Sequence, residues 1–72
     1  MTYKLPRFVT EYANYQITQI QRMHTPYDLK LMRRITDIHF AATMGEITPN
    51  EAMYELSKTT TPDYIESISN HD

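Results

Sequence analysis

Seventy-two residues, a net charge of −2 and no cysteine describe a short, mildly acidic chain with room for one domain and a modest core. A stability of about 0.05–0.15 kcal/mol per residue is expected at this size, and without cysteine a disulfide is excluded and a zinc cluster nearly so, which leaves association as the available stabiliser. The charge gives no general drive toward nucleic acid or anionic lipid, no apolar run approaches the ~20 residues of a membrane span, and the opening MTYKLPRFVTEY lacks the apolar stretch of a signal peptide, so the expectation is a cytoplasmic protein.

Residues 1–5 are expected to be loose. Pro6 suits a first helical position, and a first helix is predicted over about 7–23. Phe8, Val9, Tyr12, Ala13, Ile20 and Met23 fall on one face at helical spacing. Arg7 and Glu11, four apart, can pair across a turn for a few tenths of a kcal/mol. Gln16 and Gln19 interrupt the apolar face. A buried amide without partners costs roughly 1–3 kcal/mol, so these two are expected either at the core edge in water or, with Tyr15, against a partner.

The second helix, over about 26–44, is the stretch around which the fold is expected to form. Thr25 can cap, Pro26 can take the first helical position and Asp28 can reach back to the cap N–H. Gly45, the only glycine, supplies the left-handed stop. Tyr27, Leu31, Ile35, Ile38 and Ala42 make one narrow apolar arc, and Leu29, Met32 and Phe40 make a second. Together they cover roughly 220°, which predicts a helix covered on two sides. Lys30, Arg33, Arg34 and Asp37 fill the remaining polar sector.

Thr48-Pro49-Asn50-Glu51 is a complete capping-box signal with Ile47 and Ala52 in staple positions, and it predicts a third helix over 49–58. That helix should bury Ala52, Met53 and Leu56 and turn Tyr54 outward among Glu51, Glu55 and Lys58. After a linker at Lys58–Thr60, Thr61-Pro62-Asp63 repeats the signal, so an optional short fourth helix over 62–68 would dock through Tyr64, Ile65 and Ile68. Residues 69–72 should fray. The fold class is therefore all-α: a small three-helix bundle in a single domain spanning 1–72.

No chemical signature emerges. With no cysteine, a nucleophile–base–orienter set has few candidates: His24, His39 and His71 lie in a turn, on the second helix and in the tail. His39 is expected at the core boundary, bonded to a backbone carbonyl or water. No histidine pair or acidic loop has metal-ligand spacing, and one glycine makes no phosphate loop, so no enzyme, cofactor or metal is expected.

Ala41-x-x-x-Gly45, followed by a turn and the third helix, resembles a helix-turn-helix over about twenty residues. That resemblance implies an alanine packed inside the first helix, a glycine opening the turn, and DNA contacts from the third helix. The third helix carries Glu51 and Glu55 against Lys58 alone, however, and phosphates repel such a face. Six tyrosines and five methionines instead favour protein contact, since tyrosine and arginine are over-represented at binding hot spots and methionine adapts to irregular surfaces. The expectation is a small regulator or inhibitor of a partner protein, of the kind encoded by phages and mobile elements. A homodimer is a second candidate assembly, and nucleic acid ranks below protein as a partner. Arg33, Arg34 and Tyr54 are the expected contacts, with Lys30 at the rim.

Overall fold

A computed structural model describes residues 4–69. It is all-helical: α1 Arg7–Met23, α2 Asp28–Thr43, α3 Pro49–Lys58 and α4 Pro62–Ser69. α1, α2 and α3 each touch the other two, and α4 adds half-buried Tyr64, Ile65 and Ile68 to the edge of the core. The readings for residues 1–3 and for the tail with His71 lie outside the described residues.

The ends of the helices follow local chemistry. α1 begins after Pro6, whose extended ψ of 140° places it as the cap rather than as the first helical residue expected for it, and no side chain caps that end. At its other end His24 adopts a left-handed backbone (φ 51°) that turns the chain toward α2. Histidine is one of the residue types enriched in that region among non-glycines.

Thr25-Pro26 and Thr48-Pro49 look alike in sequence and start their helices differently. At Thr48 the capping box is complete: the Thr48 hydroxyl accepts from the Glu51 N–H (3.1 Å) and the Glu51 carboxylate accepts from the Thr48 N–H (3.2 Å). At Thr25 only half of it forms. Asp28 Oδ1 accepts from the Thr25 N–H (3.0 Å) and from the Thr25 hydroxyl (2.9 Å), while the hydroxyl oxygen takes the Tyr27 N–H (3.2 Å). The Asp28 N–H goes to the Thr25 carbonyl at 3.4 Å. Thr25–Asp28 is thus a tight turn, and α2 begins at Asp28 rather than at the expected residue 26. Its end matches the glycine signal. Gly45 has φ 78°, its N–H reaches the Ala42 carbonyl (3.1 Å), and the Glu46 N–H reaches the Ala41 carbonyl (2.9 Å). This is the paired-bond closure in which a left-handed residue satisfies the last carbonyls of a helix.

The core is Val9, Ala13 and Ile20 of α1, Leu31, Ile35, Ile38 and Ala42 of α2, and Ala52 and Leu56 of α3. Each large aliphatic side chain buried here contributes about 1.5–3 kcal/mol. Gln16 joins them, which corrects both expectations for it. It is neither at a watered edge nor facing a partner. Its amide donates to the Leu56 carbonyl and to the Tyr12 hydroxyl, both at 3.0 Å. The same Leu56 carbonyl takes the Thr59 N–H (3.1 Å) and the Thr59 hydroxyl (2.7 Å). Thr59, expected in a linker, is completely buried. Gln16 and Thr59 close the end of α3 against α1, and no buried side-chain polar atom among the described residues lacks a partner.

The second apolar arc of α2 is not covered, contrary to expectation. Met32 is half-buried, but Leu29 and Phe40 stand in solvent. α1 and α3 pack on the stripe of Leu31, Ile35, Ile38 and Ala42, and no helix among the described residues lies over the opposite side.

Candidate functional site

At about 100° per residue, Leu29, Arg33, Phe40 and Met44 fall within roughly 60° of one another, centred opposite the buried stripe of α2. Leu29 is 80% exposed, Phe40 60% and Met44 59%. Thr36 and Thr43 flank them, and their hydroxyls donate back to the Met32 and His39 carbonyls (3.0 and 2.8 Å). Threonines bonded this way need no further acceptor for their hydroxyl hydrogens, so the stripe has little polar demand beyond Arg33 and its neighbour Asp37. Both are exposed, and no ion pair joins them. Arginine one turn before aspartate is the weaker order of such a pair on a helix.

The two arginines expected to act together are separated by the helix itself, since adjacent residues diverge by about 100°. Arg33 points outward within the apolar stripe. Arg34 is also exposed, but its Nε donates to the Tyr64 hydroxyl at 3.1 Å and so ties α2 to α4. Lys30 is exposed on α2. Tyr54 is exposed on α3 as expected, with the Lys58 ammonium 4.6 Å above its ring. Lys58 also meets the Glu55 carboxylate at 2.8 Å. That hydrogen bond, followed by the charge of Glu55, raises the Lys58 pKa above the ordinary lysine value, and burial opposes the shift. The four expected contact residues are thus distributed: Arg33 on the outer stripe, Lys30 elsewhere on α2, Arg34 at the α4 junction and Tyr54 on α3.

What the sequence reading missed is the exposure of Leu29 and Phe40. Its signal was present in Arg33, a charged side chain lying between them on the same arc. α1 has a smaller counterpart. Phe8 and Tyr15 are about half exposed, and Tyr15 stacks on Tyr12 with ring centroids 6.2 Å apart.

Between α1 and α2 an open groove of about 160 Å³ is lined by Thr10, Asn14, Ile17, Thr36 and His39. His39 Nε2 and the Thr10 hydroxyl share a 2.9 Å hydrogen bond across it, in place of the carbonyl or water partner expected for His39. The evident role of this bond is to pin the two helices at their rim. Among the described residues no three histidine or acidic side chains gather, and no helix is long and apolar enough to cross a membrane.

The helix-turn-helix resemblance is met in part. Gly45 opens the turn with positive φ, but the fully buried alanine is Ala42, while Ala41 is half-buried. The exposed residues along α3 are Asn50, Glu51, Tyr54 and Ser57. No family model matches the chain, and no curated protein or solved structure matches it either.

Proposed function

We propose that this chain is a protein–protein interaction module that regulates or inhibits a partner protein in the cytoplasm. It docks through the outer face of α2, where Arg33 stands among Leu29, Phe40 and Met44. One observation carries this reading: a helix that already supplies the core with one apolar stripe keeps a second one in solvent, directly opposite. Covering apolar surface yields about 25 cal/mol per Å². Phe40 and Met44, one turn apart, expose apolar surface side by side with Leu29 further along the same stripe, and grouped apolar exposure marks a binding surface more often than a scatter of single side chains does. An arginine inside such a patch adds a planar donor that recognises carboxylates and stacks on aromatic rings. Tyr54 offers a second aromatic contact on α3, Lys30 a rim charge, and Arg34 serves the bundle through Tyr64.

The rival reading, a helix-turn-helix DNA-binding regulator, draws on the Gly45 turn between α2 and α3. The exposed acid of α3, Glu51, and the pairing of Lys58 with Glu55 weigh against it. A tagged chain is expected to capture a discrete protein from a cell extract, and Phe40→Ala is expected to release it with the helical circular dichroism unchanged. A duplex mobility shift that fades steeply with salt and is lost in Arg33→Ala would overturn the proposal in favour of DNA binding.

A further inference from the structure

The outer stripe of α2 has a pattern that fits itself. Along the helix it reads apolar at Leu29, basic at Arg33, acidic at Asp37 and apolar at Phe40 and Met44. Reversed, the order is apolar, acidic, basic, apolar. We propose that a second copy of this chain docks on this stripe, α2 against α2 in antiparallel orientation about a two-fold axis near Thr36 and Asp37. The proposal rests on the reading of the outer face of α2 as a protein-binding surface, and it names the occupant.

Charge complementarity selects the copy and its direction. Around an axis between residues 36 and 37, Leu29 of one protomer lies level with Met44 of its partner, and Arg33 lies level with Phe40. Asp37 of the partner is then three residues along the axis from the level of Arg33, about 4.5 Å at 1.5 Å per residue, within reach of the long arginine side chain. Each Arg33 can thus place its guanidinium against a carboxylate while its stem and plane cover the partner's phenyl ring. Neither Arg33 nor Asp37 is committed to an ion pair with the other inside one chain, so both charges are available for this contact. A parallel pairing would instead set Arg33 on Arg33 and Asp37 on Asp37. A two-fold contact is also the commonest closed assembly, because one self-complementary patch completes it.

The stripe from Leu29 to Met44 is about 22 Å long and one helix wide. That corresponds to the small end of the interface range, below about 1,200 Å² in total. The dimer is therefore expected to dissociate on dilution. The chain has no disulfide to stabilise it, and association supplies what its small core does not.

Sedimentation velocity on the full chain, from low to high micromolar concentration, tests this. A monomer–dimer equilibrium is expected, and Phe40→Asp and Leu29→Asp should each make the chain monomeric with unchanged circular dichroism. Arg33→Asp and Asp37→Arg should each weaken the dimer about tenfold, and the double variant Arg33→Asp/Asp37→Arg should recover most of that loss, because the exchanged charges again meet across the axis. A chain that stays monomeric throughout overturns the dimer. A dimer indifferent to Phe40→Asp overturns the face, and single charge variants that the double variant does not rescue overturn the antiparallel register. Partner capture from extract separates the two readings. A monomer whose capture of another protein is abolished by Phe40→Asp removes this inference and leaves the binding face standing, whereas a monomer whose capture is indifferent to Phe40→Asp removes both.

Discussion

On its inner side α2 buries Leu31, Ile35 and Ala42 completely and Ile38 nearly so, whereas on its outer side it leaves Leu29, Phe40 and Met44 largely in water. Both sides are apolar at helical spacing, and both belong to the same helix with its C-cap Met44. The difference lies in what faces them. α1 and α3 each bring a stripe of their own, Val9, Ala13 and Ile20 from one and Ala52 and Leu56 from the other, and these close on a single side of α2. α4 is only eight residues long and docks by Tyr64, Ile65 and Ile68, with Tyr64 meeting Arg34 rather than the outer stripe. Apolar character around a helix thus measures how much surface wants cover. Which part of it the chain itself covers depends on how many other elements carry a matching face.

The sharpest way to break this contrast is to truncate one residue on each side. Ile38→Ala removes buried methyl groups from a position touched by the rest of the core and is expected to cost about 2–5 kcal/mol, enough to unfold much of a domain this small. Phe40→Ala removes a larger side chain and is expected to change stability by less than about 0.5 kcal/mol. Urea titrations followed by circular dichroism, at a concentration low enough to keep the chain monomeric, compare the two. Equal losses would mean that Phe40 is packed in solution and that the outer face is not free.

Several features of the fold were legible because they are local. The Thr48 capping box and the Gly45 stop need only residues within one turn of themselves, and α3 spans the predicted 49–58. α1 covers the predicted 7–23 for a similar reason: Pro6 sets its start, and apolar residues recur at helical spacing from Val9 through Ile20 despite the two glutamines between them. Thr25-Pro26 was read by the same rule and came out differently, because Asp28 draws the Thr25 hydroxyl into donating to it and the hydroxyl's lone pair then serves Tyr27. That competition among three neighbours is invisible in a motif defined by residue types. Gln16 was out of reach for another reason. Its partner is the Leu56 carbonyl forty residues away, a backbone atom that any sequence would offer and none advertises. The outer stripe belongs to the same class, since only the packing of α1, α3 and α4 reveals what remains uncovered.

A second contrast of inner against outer lies on α1 and concerns polar groups. Gln16 is buried with both of its donor bonds made, while Gln19 is half-buried with no described partner. Gln16→Leu keeps roughly the same volume and removes the bonds to Leu56 and Tyr12. The Leu56 carbonyl retains its two bonds from Thr59, so the loss is expected near 1 kcal/mol rather than the full penalty of an orphaned group. Gln19→Ala should stay within about 0.5 kcal/mol. Thermal or urea unfolding of the two variants checks the pair. A neutral Gln16→Leu would show that the amide adds no net stability beyond what an apolar side chain provides there.

The smallest expected effect is on the outer side of α3, where Lys58 lies over Tyr54 and against Glu55. The Glu55 carboxylate hydrogen-bonds the ammonium and raises its pKa above the ordinary 10.5. A lysine whose pKa rises on folding contributes stability that is fully present below its unfolded value and is lost as pH climbs through the raised folded value. The contact is therefore intact at neutral pH and dissolves only above pH 10.5. Because both partners are solvent-accessible, screening by water and salt keeps the contribution small. Nuclear magnetic resonance of the Lys58 side chain against pH should give a midpoint above 10.5, and Glu55→Gln should bring it back toward that value. Such a shift, with no change in the melting temperature of Glu55→Gln at neutral pH beyond scatter, would place this contact with the outer stripe of α2, as surface that the monomer does not depend on. A midpoint unmoved by Glu55→Gln would instead assign the shift to Tyr54 and Tyr64, the other two groups that raise it.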